Sequence, residues 1–172
     1  MKILMVCLGN ICRSPLAEGV LQHKVNKAGL NWKVDSAGTA NYHVGEAPHR
    51  LSQKIAEMNG IDISCQQCRQ FKKEDMLQFD KIYVMDSQNY IDVKRISREL
   101  WQENKVELLL NELRPGKNMG VPDPWYGTEE DYHKVFKMIS DACDAIIEKY
   151  APTLKEVSSS SPEGSKENSF KL

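Results

Sequence analysis

Residues Lys2–Cys7 read KILMVC, an unbroken apolar run of strand length with no polar alternation. A strand of that kind is covered on both faces, which is the condition of a parallel strand inside an α/β sheet. A short loop holding Gly9 and Asn10 follows, and then Ser14-Pro15, where Ser suits the N-cap and Pro the first position of a helix. Leu16, Val20, Leu21 and Val25 recur at helical spacing up to Gly29. The same alternation continues along the chain: a strand over Trp32–Ser36, a helix from Pro48 to Asn59-Gly60, and a strand over Lys81–Met85 with a helix opened by Asp86. A strand over Glu107–Leu110 follows, then a Pro-rich polar loop, and a terminal helix over Glu129–Tyr150 whose apolar face carries Val135, Met138, Ile139, Ala142, Ala145 and Ile146. Strands alternating with helices predict a three-layer α/β fold on a mostly parallel sheet.

A chain of 172 residues suits one core and is too short for two comfortable ones. After Tyr150 the composition turns Ser-rich and aperiodic, so the domain is expected over residues 1–152 and a disordered polar tail over 153–172. The net charge of -1 excludes the global basic field that draws proteins onto nucleic acid or anionic membranes. The first apolar run is too short for a signal-peptide core or a membrane span. Five cysteines at irregular spacing argue against a secreted disulfide framework and for a reducing, cytoplasmic compartment.

The chemistry is concentrated in Cys7-Leu8-Gly9-Asn10-Ile11-Cys12-Arg13-Ser14, a C-x5-R-S segment at a strand-to-helix turn. Such a turn lies outside the carboxyl end of its strand, where open α/β sheets bind ligands. A short Gly-containing loop feeding a helix N-terminus aims several backbone N–H groups at one point and makes an anion cradle of phosphate size. Arg13 adds a planar fork for two phosphate oxygens. Cys7, at the rim of the cradle, sits in the same positive potential, which favours the reactive thiolate. Ser14 can donate a hydrogen bond to that sulfur. The loop lacks the G-K-S/T ending of a nucleotide P-loop.

A thiolate that takes a phosphoryl group from an ester needs an acid to protonate the leaving oxygen. The best candidate is Asp123, held between Pro122 and Pro124, with Trp125 and Tyr126 available to wall a pocket for a flat ring. From spacing alone, Asp123 reads more readily as a turn carboxylate.

The pair of motifs CLGNICRS near the N-terminus and DPWYG near the C-terminus resembles the low-molecular-weight protein tyrosine phosphatase family, as do VDSAGT (34–39) and MDSQN (85–89). The resemblance covers essentially residues 1–150. It implies a flavodoxin-like fold, a four-stranded parallel sheet flanked by helices, with no metal and no organic cofactor. It implies Cys7 as the nucleophile that becomes phosphocysteine, Arg13 as the phosphate ligand and Asp123 as the acid that protonates the phenol and then activates water. The backbone of Leu8, Gly9, Asn10, Ile11, Cys12, Arg13 and Ser14 would line the phosphate loop, with Asn10, Ser14 and Ser36 supporting it and Asp86 orienting Arg13. Tyr42, Trp125 and Tyr126 would form the groove for the ring. The implied substrates are phosphotyrosine proteins or peptides, with phosphate and other oxyanions as inhibitors.

The resemblance also admits a reversible Cys7–Cys12 disulfide, against which stands the simpler reading of Cys12 as a small residue packed under the loop. The sequence departs from the family at Gln66, where many members carry a His three residues before Arg69. Cys65-Gln66-Gln67-Cys68 is a C-x-x-C without a second pair, and two ordinary cysteines explain it best. Thioredoxin-coupled arsenate reductases share the loop but use two more cysteines in the eighties, where Lys81–Tyr90 has none. Phosphoarginine phosphatases tend to carry Thr at the position of Ile11. A non-catalytic phosphate-binding module would have no use for Cys7.

Overall fold

The computed structural model describes residues 1–151; the tail expected over 153–172 lies outside them. Strands β1 (Lys2–Cys7), β2 (Lys33–Gly38), β3 (Lys81–Val84) and β4 (Val106–Leu108) form one sheet in the order β2-β1-β3-β4. Every pairing in it is parallel. Helices α1 (Arg13–Lys27), α2 (Arg50–Met58), α3 (Asp75–Gln78) and α4 (Ser87–Ser97) lie in the connections, and α5 (Glu129–Tyr150) follows the last strand.

The pleat of β1 explains the layers. Ile3, Met5 and Cys7 face one way, into a core shared with Leu16, Leu21, Ile139 and Ile146 of α1 and α5. Leu4 and Val6 face the other way, against Met76 of α3, Val93 of α4 and the apolar residues of β3 and β4. Ile3, Leu4, Met5 and Val6 are all fully buried, each contributing about 1.5–3 kcal/mol of apolar burial. That double coverage is why the run has no polar alternation. The arrangement is the expected flavodoxin-like α/β fold.

After β2 the chain returns past β1 to place β3 on its other side, so the connections diverge at the carboxyl ends of β1 and β3. In an open parallel sheet, that divergence opens a crevice. Cys7 ends β1, and Asp86 stands just beyond β3.

Several boundaries differ from expectation. Helix α1 starts at Arg13 with Cys12 at its N-cap, so Ser14 lies inside the first turn instead of capping it. The loop curls tightly enough to begin the helix early, and Pro15 is tolerated because first-turn N–H groups have no intrahelical acceptor. Strand β2 runs on to Gly38, because its end pairs with Cys7. His49, not Pro48, caps α2, its ring nitrogen accepting from Leu51 N. Strand β4 ends at Leu108, and residues 109–112 turn into a 3-10 segment. Asp86 caps α4 through Asn89 N, as the helix start there required. On α5, Tyr132 and Cys143 join the fully buried face, while Met138 and Ala145 are only half-buried.

Candidate active site

The loop after β1 is held from beneath by a polar cluster. Asn10 adopts the left-handed backbone region, with φ of 53°, a conformation Asn tolerates better than most side chains. Its Nδ2 donates to Ser14 Oγ at 2.8 Å and to Ser36 Oγ at 2.9 Å. Its Oδ1 accepts from Arg69 N at 2.9 Å, and its carbonyl accepts from Cys68 Sγ at 2.6 Å. Every polar atom of Asn10's side chain is therefore engaged in fixing the turn. Ser14 Oγ lies 3.1 Å from Cys7 Sγ. No side chain caps the N-terminus of α1, which leaves its first-turn amides to an outside acceptor.

Arg13 is 3% exposed, an unusual burial for a guanidinium. Its Nη1 donates to Asp86 Oδ2 at 2.7 Å and to the Val121 carbonyl at 3.0 Å. Its Nη2 stands 3.6 Å from Asp123 Oδ2. Asp86 is held in turn by capping α4 through Asn89 N. Val121 N donates to the Met85 carbonyl at 2.7 Å, which ties the Asp123 segment to the end of β3. Asp123 Oδ1 accepts from Trp125 N at 3.1 Å.

Above the loop opens a cleft of about 320 Å³, lined by Cys7, Leu8, Gly9, Ile11, Cys12 and Arg13 below and by Tyr42, His43, Asp123, Trp125 and Tyr126 at its sides. Asn10, Ser14, Ser36 and Asp86 are not part of the lining; the side chains of the first three are buried on the side of the loop away from the cleft, and Asp86 sits behind Arg13. Tyr126 is almost fully exposed at the rim.

The geometry of cleft and loop has counterparts among known proteins. Residues 2–158 match the family model described as low molecular weight phosphotyrosine protein phosphatase. The chain belongs to that family. It is 39% identical over 151 residues to the low molecular weight phosphotyrosine protein phosphatase of Homo sapiens, covering 86% of this chain and 94% of that one. A protein tyrosine phosphatase from Entamoeba histolytica, solved with Hepes in its active site, superposes with a TM-score of 0.82 at 34% identity, covering 90% of this chain and 99% of that one. A Drosophila arginine phosphatase superposes with a TM-score of 0.81 at 29% identity, covering 87% of this chain and 98% of that one.

Other parts of this family member's site escaped sequence reasoning. Gly38 packs so closely on the loop that a Cβ there would lie 2.8 Å from the Leu8 carbonyl oxygen; its only sequence signal was a glycine near a strand end. His43 and His49 flank Trp125, with ring centroids 5.3 and 5.4 Å away. His49 also stacks on Tyr132, whose hydroxyl lies 3.3 Å from His49 Nδ1 and 3.4 Å from Cys12 Sγ. Burial, with Arg50 and His43 nearby, holds the His49 imidazole below its usual range, which suits a ring nitrogen that accepts from Leu51 N. Burial pushes the Cys12 thiol up to about 12.

All five cysteines are free thiols, with Cys65 exposed. Gln66, at the family's His position, donates to the Pro15 carbonyl at 3.1 Å, while its Oε1 is buried without a partner. Among the described residues no helix is long and apolar enough to cross a membrane.

Proposed function

We propose that the protein hydrolyses phosphotyrosine in proteins or peptides, and small aryl phosphates, through a phosphocysteine on Cys7. The observation that carries this reading is the convergence of three groups on one cleft floor. These are the Cys7 sulfur at the end of β1, the buried Arg13 guanidinium, and the Asp123 carboxylate 3.6 Å from that guanidinium. An anion cradle, a nucleophile and a proton donor in one place suffice for a two-step displacement at phosphorus.

In the first step the Cys7 thiolate attacks phosphorus, the S–P bond forming as the P–O bond to the tyrosine breaks. The carboxylic acid of Asp123 gives its proton to the departing phenolate oxygen. Arg13 and the loop amides hold the equatorial oxygens, which carry the charge of the transition state. In the second step the Asp123 carboxylate takes a proton from water as that water attacks phosphorus. The S–P bond breaks, phosphate leaves, and the thiolate returns with the hydroxyl of Ser14 donating to it. Asp86 fixes the plane of Arg13 so that its remaining N–H groups face the anion.

The depth and walls of the cleft favour an aryl ester. Cys7 is 3% exposed, so the phosphoryl group must be carried down by a spacer, and Tyr42, Trp125 and Ile11 offer apolar faces to a ring. The Hepes of the Entamoeba relative carries a sulfonate, an oxyanion of the kind that the cradle would accept, so phosphate and its analogues should inhibit. Five free cysteines suit a reducing compartment, for which we assign the cytoplasm.

The test compares metal-free hydrolysis of a phosphotyrosine peptide, a phosphoserine peptide and phosphoarginine by the wild type, Cys7→Ser and Asp123→Ala. Phosphotyrosine should be the preferred substrate, with turnover abolished in Cys7→Ser and slowed about 100-fold or more in Asp123→Ala. Preference for phosphoarginine would keep the two-step chemistry and overturn the substrate. Turnover persisting in Cys7→Ser would overturn the mechanism.

A further inference from the structure

The hydrogen bonds beneath the loop do not end at Ser36. Ser36 Oγ donates to Glu18 Oε2 at 2.5 Å, which extends the chain Cys7–Ser14–Asn10–Ser36 to a carboxylate on α1. The directions of these bonds are forced. Asn10 Nδ2 has two hydrogens, and it spends them on Ser14 Oγ and Ser36 Oγ. Each serine oxygen is therefore an acceptor whose own hydrogen must go elsewhere. That of Ser36 goes to Glu18, and that of Ser14 is left for Cys7 Sγ, the Ala37 carbonyl being a marginal alternative at 3.5 Å.

We propose that Glu18 is a positioning residue for Cys7, its ionised carboxylate setting the direction of the chain that presents the Ser14 hydroxyl to the sulfur. A carboxylate can only accept, so it binds the Ser36 hydrogen and keeps the Ser36 oxygen open to Asn10. A carboxylic acid can instead donate to that oxygen, which leaves the Ser36 hydrogen without its Glu18 acceptor and rotates the hydroxyl, so that the lone pair facing Asn10 shifts. The Asn10 bond to Ser36 is then less well aligned, and with it the orientation of Ser14.

The charged groups facing Glu18 are Asp35 on β2, whose Oδ1 accepts from Ser36 N, and Arg69, which is paired to both Asp35 and Asp75. Gln66 brings no charge to this region. Burial pushes the Glu18 carboxyl up to about 7, Asp35 adding to the effect while the Ser36 hydrogen bond and Arg69 oppose it. The change between the two states of the chain thus falls near neutral pH.

The inference rests on Cys7 as nucleophile, and turnover surviving in Cys7→Ser would expose failure of that reading separately. The experiment follows kcat for p-nitrophenyl phosphate and the iodoacetamide alkylation rate of Cys7 from about pH 5 to about pH 9. It uses a Cys65→Ser background, which removes the exposed thiol, and compares parent, Glu18→Gln, Glu18→Ala and Asp35→Asn. Both readouts should show a transition near pH 7 in the parent, lost in Glu18→Gln and moved to lower pH in Asp35→Asn. Glu18→Gln, whose amide oxygen can still accept from Ser36, should keep about 5-fold more kcat than Glu18→Ala, the value of one hydrogen bond. A Glu18→Gln profile that overlays the parent would overturn the proposal. So would a Glu18→Ala variant that loses only thermal stability while its kcat and pH profile stay at parent values.

Discussion

A Cβ built on Gly38 would lie 2.8 Å from the Leu8 carbonyl oxygen and 2.9 Å from Asn10 N, both backbone atoms of the loop after β1. Neither can swing aside as a side chain could, so Gly38→Ala must push the loop outward. We expect kcat to fall at least about 10-fold, with weaker inhibition by inorganic phosphate, since misplacing a positioned donor costs the transition state directly. Steady-state kinetics with phosphate as inhibitor would check it; unchanged phosphate inhibition would mean that the loop absorbs the methyl group. At Asp86 the expected loss is electrostatic. Asp86→Asn can still cap α4 through Asn89 N but no longer offers Arg13 a charge at 2.7 Å. A hydrogen bond to a charged group is worth about 1.5–3 kcal/mol, so kcat/KM should fall by about 10-fold to 100-fold while α4 keeps its stability.

The segment 69–75 and helix α5 hold the site from behind, through Arg69 N on Asn10 and the Tyr132 hydroxyl near Cys12, without lining the cleft. Arg69 reaches Asp35 on β2 and Asp75 at the start of α3, the latter 1% exposed. Arg69→Ala leaves Asp75 buried and unpaired, a loss of about 3–5 kcal/mol in urea unfolding, and Asp75→Asn added to it should recover part of that. Ile139 is fully buried between α5 and the sheet. Ile139→Ala should cost about 2–5 kcal/mol while leaving KM for an aryl phosphate unchanged, because no residue of α5 lines the cleft. Helix α5 was readable to the residue over Glu129–Tyr150, because its apolar spacing is long and Thr128 with Asp131 forms a capping box. Helix α3, four residues long, was not: a single turn carries no period, and it exists because Arg69 and the Lys72 amide hold Asp75.

Across the whole molecule, Glu18 links stability to pH. Its folded carboxyl is raised to about 7 from an ordinary 4.5. The folded state therefore holds the proton more tightly than the unfolded chain does, so the contribution is full below about 4.5 and is lost as pH rises to about 7. Glu18→Gln, which needs no proton, should accordingly stabilise the protein more at pH 8 than at pH 5 when the urea midpoints of both forms are compared; an equal effect at both pH values would contradict the linkage. What the sequence determined by itself was whatever short-range order records. The apolar run of β1, the helical periods, and the C-x5-R-S turn that brings Cys7 and Arg13 together are written in neighbouring residues. Asp123 was a candidate from its Pro-flanked loop, but only resemblance raised it above a turn carboxylate, because its partner Arg13 lies more than a hundred residues away and no local pattern encodes that approach. The tertiary structure alone decided that β1 and β3 sit side by side, so that Asp86 and the Val121 carbonyl meet Arg13. It alone packed Gly38 on the loop and carried the Asn10 network on to Glu18. Hydrogen-bond direction and van der Waals contact act over a few ångströms of space, whatever the separation along the chain.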